Sequence, residues 1–134
     1  MRQPISLSFM PMQTFTKSER LSEKIALDRL FQTGKSFNCF PFKVVWKEVP
    51  EAAAPVQLVI SVPKRIFKRA VDRNLVKRRI REAYRRHKGS FYESLGEKKL
   101  HVMLMYTAKT LPEYKDVEDK IISVLERLHK TVIS

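Results

Sequence analysis

Apolar positions along this 134-residue chain follow two periods, one of two residues and one of 3.6. Val56 to Val62 alternates Leu58, Ile60 and Val62 against Gln57 and Ser61, which predicts a strand with one buried face. Leu100 to Tyr106 is almost wholly apolar and fits a central strand covered on both sides, with Met103 and Met105 filling gaps. Phe37 to Lys47 reads as one or two strands broken at Pro41, and Val44, Val45 and Trp46 favour extended backbone. Between these runs the period lengthens. A helix is expected from Ser22 to Gly34, with Ser22 as N-cap, Glu23 in the first turn and Gly34 as a left-handed stop. Its core candidates are Ile25, Ala26, Leu30 and Phe31, with Leu27 further round. Val71 to His87 has no Gly or Pro and places Val76, Ile80, Ala83 and Tyr84 on one side of a second helix. Val117, Ile121, Val124, Leu125, Leu128 and Val132 mark a third, amphipathic helix. It starts within Thr110 to Asp116, where Thr110 and Glu113 have capping-box spacing and Pro112 suits the first turn. Pro50 to Pro55 is a loop, and Gly89 to Lys99 a connector with a short helical turn at Ser90 to Leu95. The order of elements predicts an α+β fold, a two-layer α/β sandwich with a small mixed sheet.

The length suits one domain, and the 43% apolar content supplies one core. Three Gly are too few for a turn-dense β-sandwich. Residues 1–13, interrupted by Pro4 and Pro11, read as a flexible leader, with Met12 a possible second start and Phe15 tucking the incoming chain. Residues 14–134 then form the single domain. No apolar run reaches the ~20 residues of a membrane helix. The single Cys39 permits no internal disulfide and suits a reducing, cytoplasmic setting, where it reads as a packed thiol.

Charge changes the picture. Lys64 to Lys88 holds twelve Lys or Arg among 25 residues against Asp72 and Glu82, a local net charge of +10 in a chain of +13. So local a concentration points to a surface that holds a polyanion. Arg73, Lys77, Arg81 and Arg85 form an i, i+4 row, with Asn74 and Arg78 beside it. All of Arg73, Asn74, Lys77 and Arg81 are expected to be exposed. Asn74 has donor and acceptor groups suited to a base edge or a 2′-hydroxyl. The plainer alternatives are a solvated basic face and a surface Asn.

Self-sufficient catalytic chemistry is missing from the pattern. His87, His101 and His129 fall in three elements without metal-ligand spacing, and His101 on an apolar strand reads as a satisfied core histidine. Asp72 and Glu82, inside the basic helix, are placed to orient Arg side chains. No Gly-rich phosphate loop exists. The residues alone therefore indicate an RNA or DNA binder. A ribosomal or other structural RNA-binding protein fits the charge equally well. A DNA reader fits less well, because strands flank the basic helix and no heptad is present.

The stretch AVDRNLVKRRIRE, Ala70 to Glu82, resembles the signature helix of the bacterial ribonuclease P protein subunit, whose pattern reads A-V-x-R-N-x-x-K-R-x-x-R. The match falls on Ala70, Val71, Arg73, Asn74, Lys77, Arg78 and Arg81, and the upstream ISVPKR resembles the family's preceding strand. Leu75 stands where the family usually has Arg, and Phe67-Lys68-Arg69 where it often has Gly-Asn. The resemblance implies the family's fold from about Phe15 to Lys130, with a left-handed strand–helix–strand crossover. It also implies two partners, the catalytic ribonuclease P RNA and precursor tRNA, with neither membrane nor DNA expected. The RNA subunit would perform Mg²⁺-dependent removal of the 5′ leader and hold most of the Mg²⁺. On this resemblance Arg73, Asn74, Lys77, Arg78 and Arg81 face the catalytic RNA, and the neighbouring Lys64, Arg65, Lys68, Arg69 and Arg85 extend that surface. Phe31 and Trp46 match aromatic positions of a leader-binding cleft, and Leu27 stands where other members carry Phe. Core packing is the alternative for Phe31 and Trp46.

Overall fold

The computed structural model describes residues 17–133. The expected leader at 1–13, Met12 and Phe15 lie outside the described residues. After a 3-10 turn at Lys17–Glu19, the chain forms α1 (Lys24–Thr33), β1 (Lys35–Cys39), β2 (Phe42–Glu48), β3 (Val56–Ser61), α2 (Ala70–Leu95), β4 (Leu100–Tyr106) and α3 (Tyr114–Ile133). The four strands lie in the order β1-β2-β4-β3. β1 with β2 and β2 with β4 are antiparallel, while β3 and β4 run parallel with α2 as their connection. This is the expected α+β arrangement with a mixed sheet.

Strand alternation sends two sets of side chains to opposite faces. Phe42, Val44 and Trp46 of β2, Val56 and Leu58 of β3, and Leu100, Val102, Leu104 and Tyr106 of β4 point to one side. There they meet Val76, Ile80, Ala83 and Tyr84 of α2 and the apolar stripe of α3 in the main core. Phe67, from the loop before α2, stacks on Tyr106 at 6.2 Å. The opposite face has a small cluster, in which Val45 and Met103 pack on Leu21 and Leu30. Among the described residues, α1 and the Leu21 segment just before it cover that side.

Several expected boundaries shift, each for a local reason. α2 runs unbroken through Gly89 to Leu95, replacing the expected stop at His87 and the connector. Phe91 and Leu95 prolong its buried stripe, and that packing outweighs the ~1 kcal/mol cost of a mid-helix Gly. The left-handed stop is Gly96, at φ +63°. Gly34 is instead extended, at φ −73°. Glycine is needed there because a Cβ would fall 2.4 Å from the Leu30 carbonyl oxygen. Glu23, not Ser22, occupies the N-cap position of α1. α3 begins at Tyr114, so Pro112 precedes its first turn, and the Thr110 carbonyl accepts the Tyr106 hydroxyl at 2.9 Å. Ile25, an expected core residue, is 62% exposed because Leu30 and Leu21 already take the small contact area beneath α1. His101 is buried and satisfied as expected, its Nε2 lying 2.9 Å from Gln57 Oε1. Burial lowers its pKa.

Candidate nucleic-acid interface

The basic stretch divides evenly. Six of its twelve cations are engaged by protein groups. Arg69 pairs with Asp72 at 3.0 and 3.1 Å, Arg85 pairs with Glu82, and Arg79 donates to the Pro112 carbonyl. Arg86 reaches the Tyr114 hydroxyl at 3.4 Å. Lys88 is buried with Glu19, their charged atoms 2.5 Å apart. Arg73 Nη1 donates to the carbonyls of Phe67 and Lys68 at 2.9 and 2.8 Å and so fixes the loop that leads into α2. The other six, Lys64, Arg65, Lys68, Lys77, Arg78 and Arg81, have no hydrogen bond or ion pair among the described residues. The Asp72 carboxyl lies below its ordinary pKa because of its hydrogen bond to Arg69. Asp72 and Glu82 thus orient Arg side chains, as the sequence suggested.

Not every member of the cationic row is exposed. Asn74 and Arg81 are, but Arg73 and Lys77 are half-buried. Each i, i+4 step advances about 40° around a helix. The row therefore starts close to the seam occupied by Val76 and Ile80 and winds outward to Arg81. Lys77 and Arg81 border a recess of about 320 Å³ that also includes Arg20 and the Val59–Ile60 segment of β3. β3 is an edge strand, and among the described residues it meets the incoming chain only near its start, where the Leu58 carbonyl accepts from Leu21 N at 2.9 Å and Gln57 Nε2 donates to the Ser18 carbonyl at 3.0 Å. The cationic row thus meets the open edge of the sheet.

The α1 side of the sheet carries three cross-strand rungs: Lys47–His101–Gln57, Val45–Met103–Val59 and Lys43–Met105–Ser61. Leu30 of α1 packs on the middle rung. Helical spacing puts Leu27 and Phe31 on one flank of α1, and Ile25, Ala26 and Arg29 on the other. The second flank closes over the His101 rung, where Ala26, Arg29, Lys47, Gln57 and His101 line a recess of about 380 Å³. The first flank therefore faces the Lys43–Met105–Ser61 rung. Among the described residues, this leaves a groove with Leu27 and Phe31 as one wall and a partly covered floor. Phe31 is 57% exposed, so core packing is not its role. The groove leads along β3 toward Ser61, and from there the chain enters Lys64, Arg65 and the start of α2.

Trp46 does not belong to this groove. It is 6% exposed and lies in the main core on the other side of the sheet, with Lys35 Nζ 5.5 Å from its ring. Odd-numbered residues of β2 face α1 and even-numbered ones face the core, so Val45 holds the position beneath α1. The structure brings Leu27 and Phe31 together on one wall and separates Trp46 from them. It sets Lys64, Arg65 and Lys68 in the loop before α2 and Arg73, Asn74, Lys77, Arg78 and Arg81 along its first half, while Arg69 at the N-cap and Arg85 further along the helix are already paired with acids. The described residues contain no group of three or more His, Cys, Asp or Glu that could hold a metal ion. None of their helices is long and apolar enough to cross a membrane.

The family model described as Ribonuclease P matches residues 15–129. The chain belongs to the ribonuclease P protein family. A ribonuclease P protein component from Porphyromonas gingivalis is 36% identical over 122 residues, covering 89% of each chain. One from Chlorobaculum tepidum is 31% identical over 117 residues, covering 78% of this chain and 76% of its own. Among solved structures, the RNase P protein from Thermotoga maritima superposes with a TM-score of 0.66 at 25% identity, over 81% of this chain and 96% of that one. The Staphylococcus aureus RNase P protein reaches 0.70 at 23% identity, over 84% and 96%, a likeness of fold. Ribonuclease P membership makes the chain a protein component in tRNA processing, associated with an endoribonuclease. It also gives the cationic start of α2 a context that charge alone left open.

Proposed function

We propose that this ribonuclease P protein component binds the catalytic RNA with the start of α2 and holds the 5′ leader of precursor tRNA in the groove between α1 and the sheet. The RNA subunit carries out the Mg²⁺-dependent phosphodiester hydrolysis that yields the mature 5′ end. The observation that carries this reading is the continuity between six cations with no partner among the described residues and a half-covered groove with an exposed Phe31. Cations neutralise phosphates with little regard to sequence. An aromatic wall accepts any base, because every base has a π-face. Together they fit a single strand of variable sequence entering from a phosphate-rich anchor. Asn74, uncharged and exposed among the cations, hydrogen-bonds a base edge or a 2′-hydroxyl. In this reading the RNA subunit holds the Mg²⁺ of the reaction, and the protein supplies cations and an aromatic wall.

Reconstitution tests the proposal. The chain alone should leave precursor tRNA intact. Added to the catalytic RNA, it should lower the Mg²⁺ needed for cleavage and favour substrates that carry a leader. Leader removal by RNA-free protein, or no effect on the RNA's Mg²⁺ requirement, would overturn it.

A further inference from the structure

We propose that Glu19, Lys88 and Tyr92 form a positioning network that sets the wall of the leader groove by fixing where α1 begins relative to α2. The inference rests on the groove reading above and adds residues that touch no RNA. Lys88 is 1% exposed and Glu19 5% exposed. Glu19 Oε2 accepts from Lys88 Nζ at 2.5 Å and from the Tyr92 hydroxyl at 2.6 Å. The Tyr84 hydroxyl lies 2.9 Å from that of Tyr92. Three residues of α2 thus converge, directly or in relay, on one carboxylate of the entering chain. Just beyond it, Leu21 N donates to Leu58 O, and Gln57 Nε2 donates to Ser18 O at 3.0 Å. The segment is pinned to α2 and to β3 within a few residues of the first turn of α1.

α1 needs such a pin. Leu30 is its one fully buried side chain, while Ile25 and Phe31 stay exposed. A ten-residue helix with so small an apolar contact has little packing of its own to define its tilt. Its two ends therefore govern its position. The C-terminal end is held by the close approach of Gly34 to Val45 and by Lys47 Nζ donating to Thr33 Oγ1 at 2.8 Å. The N-terminal end is held through Glu19. A buried ion pair contributes little net stability, because desolvation offsets its attraction, but it tolerates only a narrow geometry. That property suits a spacer between two walls of a binding site.

The decisive variant is the double substitution Glu19→Leu with Lys88→Met, which removes both charges and keeps the volume. Holoenzyme made from it and the catalytic RNA is compared with wild type for binding precursor tRNA with a long leader and mature tRNA. Backbone amide exchange at Leu21 and Leu27 is measured on the protein. The expected result is a melting temperature close to wild type and faster exchange at both amides. The preference for leader-bearing RNA should fall about ten-fold, the scale of losing one stacked base. Tyr92→Phe removes one hydroxyl and should give a smaller loss of the same kind, so it carries the test if the double variant does not fold. Wild-type exchange at Leu21 and Leu27 in the folded variants, or full leader preference despite faster exchange, would overturn the inference. A wild-type holoenzyme without leader preference would instead overturn the groove reading, and the exchange measurements would still decide whether the network positions α1.

Discussion

The two faces of the sheet are built differently. On one, Phe42, Val44, Trp46, Val102, Leu104 and Tyr106 disappear beneath two long helices. On the other, Val45 and Met103 are covered by one short helix and by Leu21 just before it, and among the described residues the rung beside them, with exposed Lys43 and half-buried Met105 and Ser61, stays accessible. The first face supplies cohesion that the second lacks. An unfinished face next to a cationic helix is what a groove for single-stranded RNA requires, and a fully packed face could not provide one. Stability and binding should therefore separate by face.

Trp46 and Phe31 break that comparison most sharply. Trp46→Ala should destabilise the fold by about 3–5 kcal/mol, as expected for a large buried side chain. Its effect on RNA binding should vanish wherever the protein remains folded. Phe31→Ala should leave chemical denaturation nearly unchanged and weaken binding of leader-bearing RNA by about 1–3 kcal/mol for each base it stacks. Denaturation curves and binding to leader-bearing and mature tRNA measure both. Equal losses on both RNAs for Phe31→Ala would contradict the assignment of faces.

The cationic row sharpens the contrast on a smaller scale. Arg81→Ala and Lys77→Ala should each reduce the slope of log affinity against log salt by about 1, the loss of one phosphate contact. Neither should lower stability much. Arg73→Ala should also lower stability, by about 1–3 kcal/mol, because two carbonyls at the entrance of α2 lose their donor. Asn74→Ala should weaken RNA binding and leave the salt slope unchanged. Salt titration of the four variants, with melting curves, checks the set.

Asp72 gives the smallest effect. Its folded pKa is depressed by Arg69, so its contribution to stability is present above the ordinary aspartate value of 3.8. That contribution is lost as pH falls through the lower folded value. Acid titration of stability should show a slight step below that value that is absent in Asp72→Asn. High salt should shrink it, since the pair is at the surface.

Much of this organisation was legible in the sequence. Alternation located β3, the all-apolar run located β4 as a central strand, and the charge count located α2. Periodicity fails where a decision is tertiary. Gly89 reads as a breaker until Phe91 and Leu95 find the core. Trp46 reads as a cleft aromatic until pairing with β1 and β4 sets which parity of β2 faces α1, and a one-residue offset reverses the face. Lys88 is indistinguishable from its basic neighbours in sequence, and its pairing with Glu19, 69 residues earlier, is a tertiary contact that periodicity does not show. Arg73 and Lys77 lie closer to the core than their row suggests because the row winds about 40° per step. Phe31 is the opposite case, since its resemblance-based assignment fits an exposed position that hydrophobicity alone would have buried.

The place of β4 between β2 and β3 has a consequence for synthesis. The strand that joins the two halves of the sheet spans Leu100–Tyr106, so it follows the whole basic stretch in the order of translation. Until it emerges, β2 has only β1 as a partner, and β3 lacks the strand beside it. At about 5–20 residues per second, the cations of α2 leave the ribosome seconds before the core that will sort them into internal and external sets. During that interval Lys88 is as available to a passing polyanion as Arg78. Completion of the central strand withdraws it and leaves the finished protein with the narrower surface described above.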